Sequence, residues 1–247
     1  MQQIAANDYK ALVPADIVTA GVINYRIIVK KLNEDFFVFP GNHKGDPYAW
    51  DAFKNESWQT FVAADKAPLV LFNATADRNS INIYNPDWRN NIVEYVTVDK
   101  PNELVLSATM QKPSPGKIMG FQTYFANKIL GRESELNSFK KLIIKAQTGN
   151  EEPVQMKLAL ITKDAQAFAT YLTLTDQLHD MEVSLNALKP DSSLLLPRPY
   201  PGFLPLWFKS FSNASFNLPN SEKLEVSFVS PGDKPVNIQV ESVYLKK

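Results

Sequence analysis

Two stretches of this chain gather the residue types that grip hydroxyl-rich ligands. The loop over residues 40–58 carries Trp50, Asp51 and Trp58, and a second loop carries Asn85, Asp87, Trp88 and Arg89 within five positions. On predicted strands, Tyr124 shares a face with Gln122, and Tyr171 lies opposite the alternation of Phe168, Thr170 and Leu172. An aromatic ring can stack on the C–H face of a sugar, while amide, carboxylate and guanidinium groups bond its hydroxyls. These nine residues are therefore the candidate ligand contacts. Aromatic side chains more commonly serve a core. Trp50 and Trp88 rank first because their sequence neighbours are polar.

Other chemistries find less support. A glycosidase needs two carboxyl groups facing one another at roughly 5–9.5 Å. Asp46, Asp51, Glu56, Asp77, Asp87 and Glu94 are candidates, but 26 acidic residues always offer some pair. The only histidines are His43, in a loop, and His179, in a turn before a strand, and no G-x-S-x-G is present. The absence of cysteine removes thiolate catalysis, disulfides and cysteine–metal sites. No catalytic residue is assigned. Lys and Arg balance Asp and Glu at 26 each, so no nucleic-acid footprint is expected. No apolar run approaches the roughly 20 residues of a membrane-spanning helix, and the first residues do not read as a signal peptide.

The elements that must position these residues are short strands. From about residue 66 onward, apolar and polar residues alternate in segments bounded by turn residues. Examples are Met119, Phe121 and Thr123 against Gly120, Gln122 and Tyr124, and Met156, Leu158 and Leu160 against Gln155, Lys157 and Ala159. Period-2 alternation is the mark of half-buried antiparallel strands. About ten of them predict an all-β fold, an antiparallel β-sandwich with long loops and one or two short helices at most, one over residues 130–139. Residues 24–29 and 35–39 are two earlier strand candidates. In the last strand Val236, Ile238 and Val240 are followed by Val243 and Leu245, a slip of phase that predicts a bulge near Glu241-Ser242. Residues 1–16 read as a polar lead, and 17–247 as one domain with its core at about 66–246 and residues 17–58 as added strands and a long loop.

Residues 194–208 are unusual, with Pro197, Pro199, Pro201 and Pro205 set among aromatic and aliphatic side chains. Proline removes a backbone donor and pushes the preceding residue out of helical geometry, so neither helix nor central strand fits. The segment is too apolar for a solvated linker. An extended loop lying flat across the side of the domain is predicted, with Phe203, Leu204, Trp207 and Phe208 plugging the open end of the sandwich.

Several of these stretches carry a family resemblance. Phe139-Lys-Lys-Leu-Ile-Ile-Lys-Ala, Leu158-Ala-Leu-Ile-Thr-Lys-Asp-Ala-Gln-Ala-Phe, Met181-Glu-Val-Ser-Leu-Asn-Ala-Leu-Lys and Val240-Glu-Ser-Val-Tyr-Leu resemble strands of jelly-roll, galactose-binding-like carbohydrate-binding modules. More narrowly, Asp46-Pro-Tyr-Ala-Trp-Asp-Ala-Phe, Trp88-Arg-Asn and the proline-rich segment resemble C-terminal ancillary domains of secreted bacterial glycoside-hydrolase-like proteins. The resemblance implies a non-catalytic carbohydrate-binding module, a carbohydrate ligand, a catalytic domain in the same or a longer protein, and a periplasmic or extracellular setting. A glycoside hydrolase using paired carboxylates and a purely structural docking domain are the alternatives. No cofactor is expected, although related jelly rolls often carry a structural calcium. Asp77, Asn79, Asp99 and Glu241 could supply oxygens for one, with no motif to fix them.

Overall fold

The computed structural model describes all residues except 19, 34, 51–55, 65, 99–102, 131, 197–206 and 212, together with the side chains of residues 15 and 61. The chain divides into two compact units, Met1–Ala67 and Pro68–Lys247. The division falls where the sequence pattern begins its sandwich core.

The first unit consists of short pairings. Gly21–Tyr25 pairs antiparallel with Trp58–Val62, and Ile27–Lys30, Phe36–Phe39 and His43–Lys44 form a three-stranded sheet. The expected strand at 24–29 is thus split at Arg26, and its halves join different sheets. The polar lead forms a small hairpin, Gln2–Gln3 against Tyr9–Lys10. Val38 is the only buried hydrophobic residue of this unit among the described residues.

The second unit is the antiparallel β-sandwich that the alternation predicts. Its strands are β1 (Leu69–Asn73), β2 (Ile81–Tyr84), β3 (Asn91–Thr97), β4 (Leu104–Met110), β5 (Ile118–Tyr124), β6 (Lys141–Gln147) and β7 (Val154–Thr162). They continue with β8 (Ala167–Leu174), β9 (His179–Ser184), β10 (Lys189–Leu194), β11 (Trp207–Lys209), β12 (Ser221–Val229) and β13 (Val236–Lys246). One sheet runs β3-β4-β13-β6-β9, with β1 also paired to β13; the other runs β11-β10-β8-β7-β12-β5-β2. A single core cluster joins the inner faces, with Leu106, Ile144 and Val240 from the first sheet and Phe121, Leu158 and Val226 from the second. Each of these side chains lies on the apolar phase of its strand. Period-2 alternation places alternate residues on opposite faces, so one face is enough to build the core.

The phase slip in the last strand is real. Lys145 pairs with Ser242 but Ala146 pairs with Val240, leaving Glu241 as the extra residue of a bulge. Its carbonyl accepts the Ala74 N–H at 2.8 Å. The bulge lets Val240 and Val243 both face the core. Over 130–139, where a helix is expected, only a 3-10 turn forms, Glu133–Ser138, and the short helix α1 (Ala126–Ile129) precedes that span. No helix among the described residues is long and apolar enough to cross a membrane.

Candidate functional site

The outer face of the larger sheet carries the polar phase of its strands. Lys157 of β7 sits between Tyr171 of β8 and Ser227 of β12, and Ser227 lies beside Gly120 of β5. One row along, Ala159, Glu225 and Gln122 are neighbours on β7, β12 and β5. Alternation predicts that such a face is solvated. Instead Gln122, Lys157, Glu225 and Ser227 are all buried.

A strap covers them. Strand β10 pairs with the edge of β8 through residues 189–191 and then crosses the face. Lys157 Nζ donates to the Ser192 carbonyl, Gln122 Nε2 donates to the Leu194 carbonyl at 2.7 Å, and the Leu194 N–H donates to Glu225 Oε2 at 3.2 Å. Beneath the strap, Lys157 Nζ lies 3.2 Å from Glu225 Oε1, with side-chain exposures of 9% and 2%. Gln122 also donates to Glu225 Oε2 at 2.6 Å. Leu194 and Leu196 then pack against Tyr84, with Ile118 against this small second core. Strand β11 returns alongside β10, with Leu194 opposite Trp207 and Ser192 opposite Lys209. Residues 194–196 thus lie over the outer face of the larger sheet. Pro197 to Pro205, with Phe203 and Leu204, lie outside the described residues.

Where strap and sheet meet, a cleft of about 160 Å³ opens beside Tyr171 and Trp207. Gln155, Lys157, Ser192 and Ser227 supply its polar groups, and Ile118 and Val229 an apolar end. Tyr171 is 61% exposed, and its hydroxyl donates to Asp191 Oδ2 at 2.8 Å. Desolvation and the Asp191 carboxylate push its phenol up to about 12, so it is a neutral donor at physiological pH. Trp207 is 37% exposed and Phe208 is 42% exposed. This corrects the expectation that they plug an end of the sandwich. Trp207 instead forms a wall of the cleft, because pairing with β10 holds it on the outer face.

The other sequence candidates are dispersed. Tyr124 is exposed on the same outer face as Tyr171, but three strands across and four residues along, roughly 20 Å away by strand geometry. Trp50 lies in the first unit and is 97% exposed. Trp58, in the same unit, begins a strand, its ring 5.6 Å from that of Tyr25. Asp51 is outside the described residues. Asn85 and Asp87 shape their own turn. Asn85 Oδ1 accepts the Asp87 N–H and the Asn91 side-chain amide, and Asp87 accepts from the Asn90 side chain at 2.8 Å. The Asn90 bond holds the Asp87 carboxyl below the usual range. Trp88 projects from this turn, 76% exposed, with the Arg89 guanidinium 5.3 Å from its ring centre.

Two of the four suggested calcium ligands are engaged in other contacts. Asp77 accepts from Lys128 and from the Asn73 N–H, and Glu241 pairs with Lys145. Asp99 is outside the described residues. Among the described residues no group of three or more His, Asp or Glu side chains is placed to hold a metal ion. Among the described residues the cleft is lined by no carboxylate.

No protein-family model and no curated protein matches this chain. Its fold is similar to solved carbohydrate-binding modules. A family 11 module of a cellulosomal cellulase of Clostridium thermocellum is 9% identical, with a TM-score of 0.47, over 75% of this chain and 97% of that one. An exo-β-agarase is 13% identical, with a TM-score of 0.47, over 72% of this chain and 25% of that one. A module solved with β-1,4-galactotriose is 6% identical, with a TM-score of 0.38, over 72% and 99% of the two chains. Such distant likenesses assign no ligand to this chain.

Proposed function

We propose that the second unit is a non-catalytic carbohydrate-binding module whose contact surface is the cleft beside the strap. The observation that carries this reading is the pairing of two exposed aromatic rings, Tyr171 and Trp207, with the amide of Gln155 and the hydroxyls of Ser192 and Ser227. Rings offer stacking faces to C–H surfaces, and the polar groups offer both donors and acceptors to hydroxyls. At about 160 Å³ the cleft is smaller than the roughly 300 Å³ of enclosed small-molecule sites. It suits one sugar ring of a longer chain lying over the surface. The described residues of the lining include no carboxylate, whereas hydrolysis calls for two facing ones, and this favours binding.

In this reading the module works outside the cytoplasm and holds a catalytic domain near its polysaccharide. Trp88 and Arg89 on the turn after β2, and Tyr124 on β5, are secondary contacts for a polymer on this unit, while Trp50, Asp51 and Trp58 are proposed contacts of the first unit taken by itself. The test is affinity electrophoresis and calorimetry against neutral glucans and galactans, with Tyr171→Ala and Trp207→Ala. Retention on at least one polymer, weakened about tenfold or more by either variant at unchanged fold, is expected; tenfold corresponds to about 1.4 kcal/mol. No retention on any glycan defeats the proposal.

A further inference from the structure

A second cavity, of about 220 Å³, lies where the turn after β2 meets the loop between β4 and β5. Its walls are Pro86 and Asp87 from the turn, and Lys112, Pro113, Ser114 and Lys117 from the loop. The loop ends in a turn with Pro115 and Gly116 at its centre. Gly116 has φ +78°, and the Lys117 N–H bonds the Ser114 carbonyl at 3.1 Å. That geometry requires a residue tolerant of positive φ at the third position, hence glycine. The Gly116 N–H donates to the Ser230 carbonyl at 3.0 Å, and Lys117 returns a carbonyl to the Ser230 N–H at 2.8 Å. The Gln111 N–H donates to the Asn90 carbonyl, joining the two loops. The cavity is therefore bounded by pinned backbone.

Its charge is unbalanced. Lys112 and Lys117 both line it, and neither has a carboxylate partner among the described residues. Asp87 is the one acidic group in the wall, and both its oxygens accept from Asn90. Trp88 and Arg89 follow Asp87 on the same turn, outside the lining; the Arg89 charge acts on Asp87, and its guanidinium lies over the exposed ring of Trp88. The chain as a whole has zero formal net charge, so this grouping is not the by-product of a basic composition.

We infer that this cavity is a subsite for the anionic substituent, sulfate ester or uronate carboxylate, of an acidic polysaccharide. Lys112 and Lys117 receive the charge, and Trp88 offers its face to the attached or adjacent ring. Two ammonium groups and a nearby guanidinium suit a group with several acceptor oxygens. An aromatic beside them suits a sugar rather than an isolated ion. This inference deepens the proposed carbohydrate-binding role and rests on it.

The test measures binding of the full chain to three polymers: neutral pectic galactan, the sulfated galactan λ-carrageenan, and polygalacturonate. Each is assayed by affinity electrophoresis at low and at high salt. We expect preference for at least one acidic polymer over the neutral one, reduced by salt. Lys112→Gln/Lys117→Gln should lower that affinity about tenfold or more and flatten its salt dependence, with neutral binding unchanged. Lys112→Arg/Lys117→Arg should keep the preference, and equal thermal midpoints exclude a folding defect. Trp88→Ala should weaken acidic polymers more than neutral ones. Equal affinity for acidic and neutral polymers, or an acidic preference unmoved by the glutamine variant, overturns the subsite. If neutral binding lost in Tyr171→Ala persists alongside either result, the cleft reading stands and only the subsite falls. No retention of any polymer removes both.

Discussion

Lys157 and Glu225 provide the sharpest test of how the strap is held. Their contact lies under β10, with side chains 9% and 2% exposed, and three further hydrogen bonds converge on it from Gln122, Leu194 and Ser192. Glu225→Gln keeps the shape and an acceptor but removes the negative charge. Lys157 is then a buried ammonium facing only neutral oxygens. Breaking one partner of a buried pair costs about 3–5 kcal/mol; retention of the amide acceptor places this variant near about 3 kcal/mol. For a unit of this size, about 1 kcal/mol moves the thermal midpoint by about 2–4 °C, so a fall of about 6–12 °C is expected. Lys157→Met leaves the Glu225 carboxylate with three donors, from Gln122, Leu194 and, at 3.5 Å, the Ser227 hydroxyl, and should cost about 2 kcal/mol. The double variant Lys157→Met/Glu225→Gln leaves a neutral cluster. It should lie within about 1 kcal/mol of the original protein, because the desolvation cost of both charges disappears together. Urea unfolding followed by tryptophan fluorescence measures all four corners of the cycle. If the two single losses simply add, the pair is not coupled beneath the strap, and the reasoning fails.

Two further outcomes follow from the same sheet. Tyr171 has its phenol raised to about 12 from 10.0, so the folded state holds its proton where the unfolded chain releases it. That contribution to stability is complete below about pH 10 and is lost as pH rises toward about 12. Tyr171→Phe should therefore show a shallower alkaline fall in stability than the parent, read by urea midpoints across that window. Parallel curves would exclude the contribution. Gly120 on β5 is packed so closely that a Cβ would stand 2.4 Å from the Val226 carbonyl oxygen and 2.8 Å from the Ser227 Cα. Gly120→Ala should cost about 1–3 kcal/mol by forcing β5 and β12 apart, and an unchanged thermal midpoint would contradict that packing.

The sandwich was legible because each of its strands buries one face. Met119 and Phe121 on β5, and Met156, Leu158 and Leu160 on β7, announce the core by spacing alone. The same spacing exposed the bulge at Glu241, since a bulge is a change of phase and phase is written in the sequence. The sites were less legible. Tyr171 was readable as an outward aromatic, but the place of Trp207 beside it was not, because the two lie 36 positions apart and only the β10–β11 pairing brings the second to the first. Nothing in the alternation said that Asn85 and Asp87 are occupied with their own turn.

The sequence by itself determined which side of each strand faces the core and where the last strand breaks register. Hydrophobic burial acts strand by strand, so a local pattern records it. Only the tertiary structure decided what lies over the polar face. Gln122, Lys157 and Glu225 read as solvent-facing, and are buried because backbone some 30 to 70 positions distant lies across them and satisfies their hydrogen bonds. A polar residue carries the same signal whether water or a carbonyl is its partner. The cleft of Tyr171 and Trp207 exists where that cover ends.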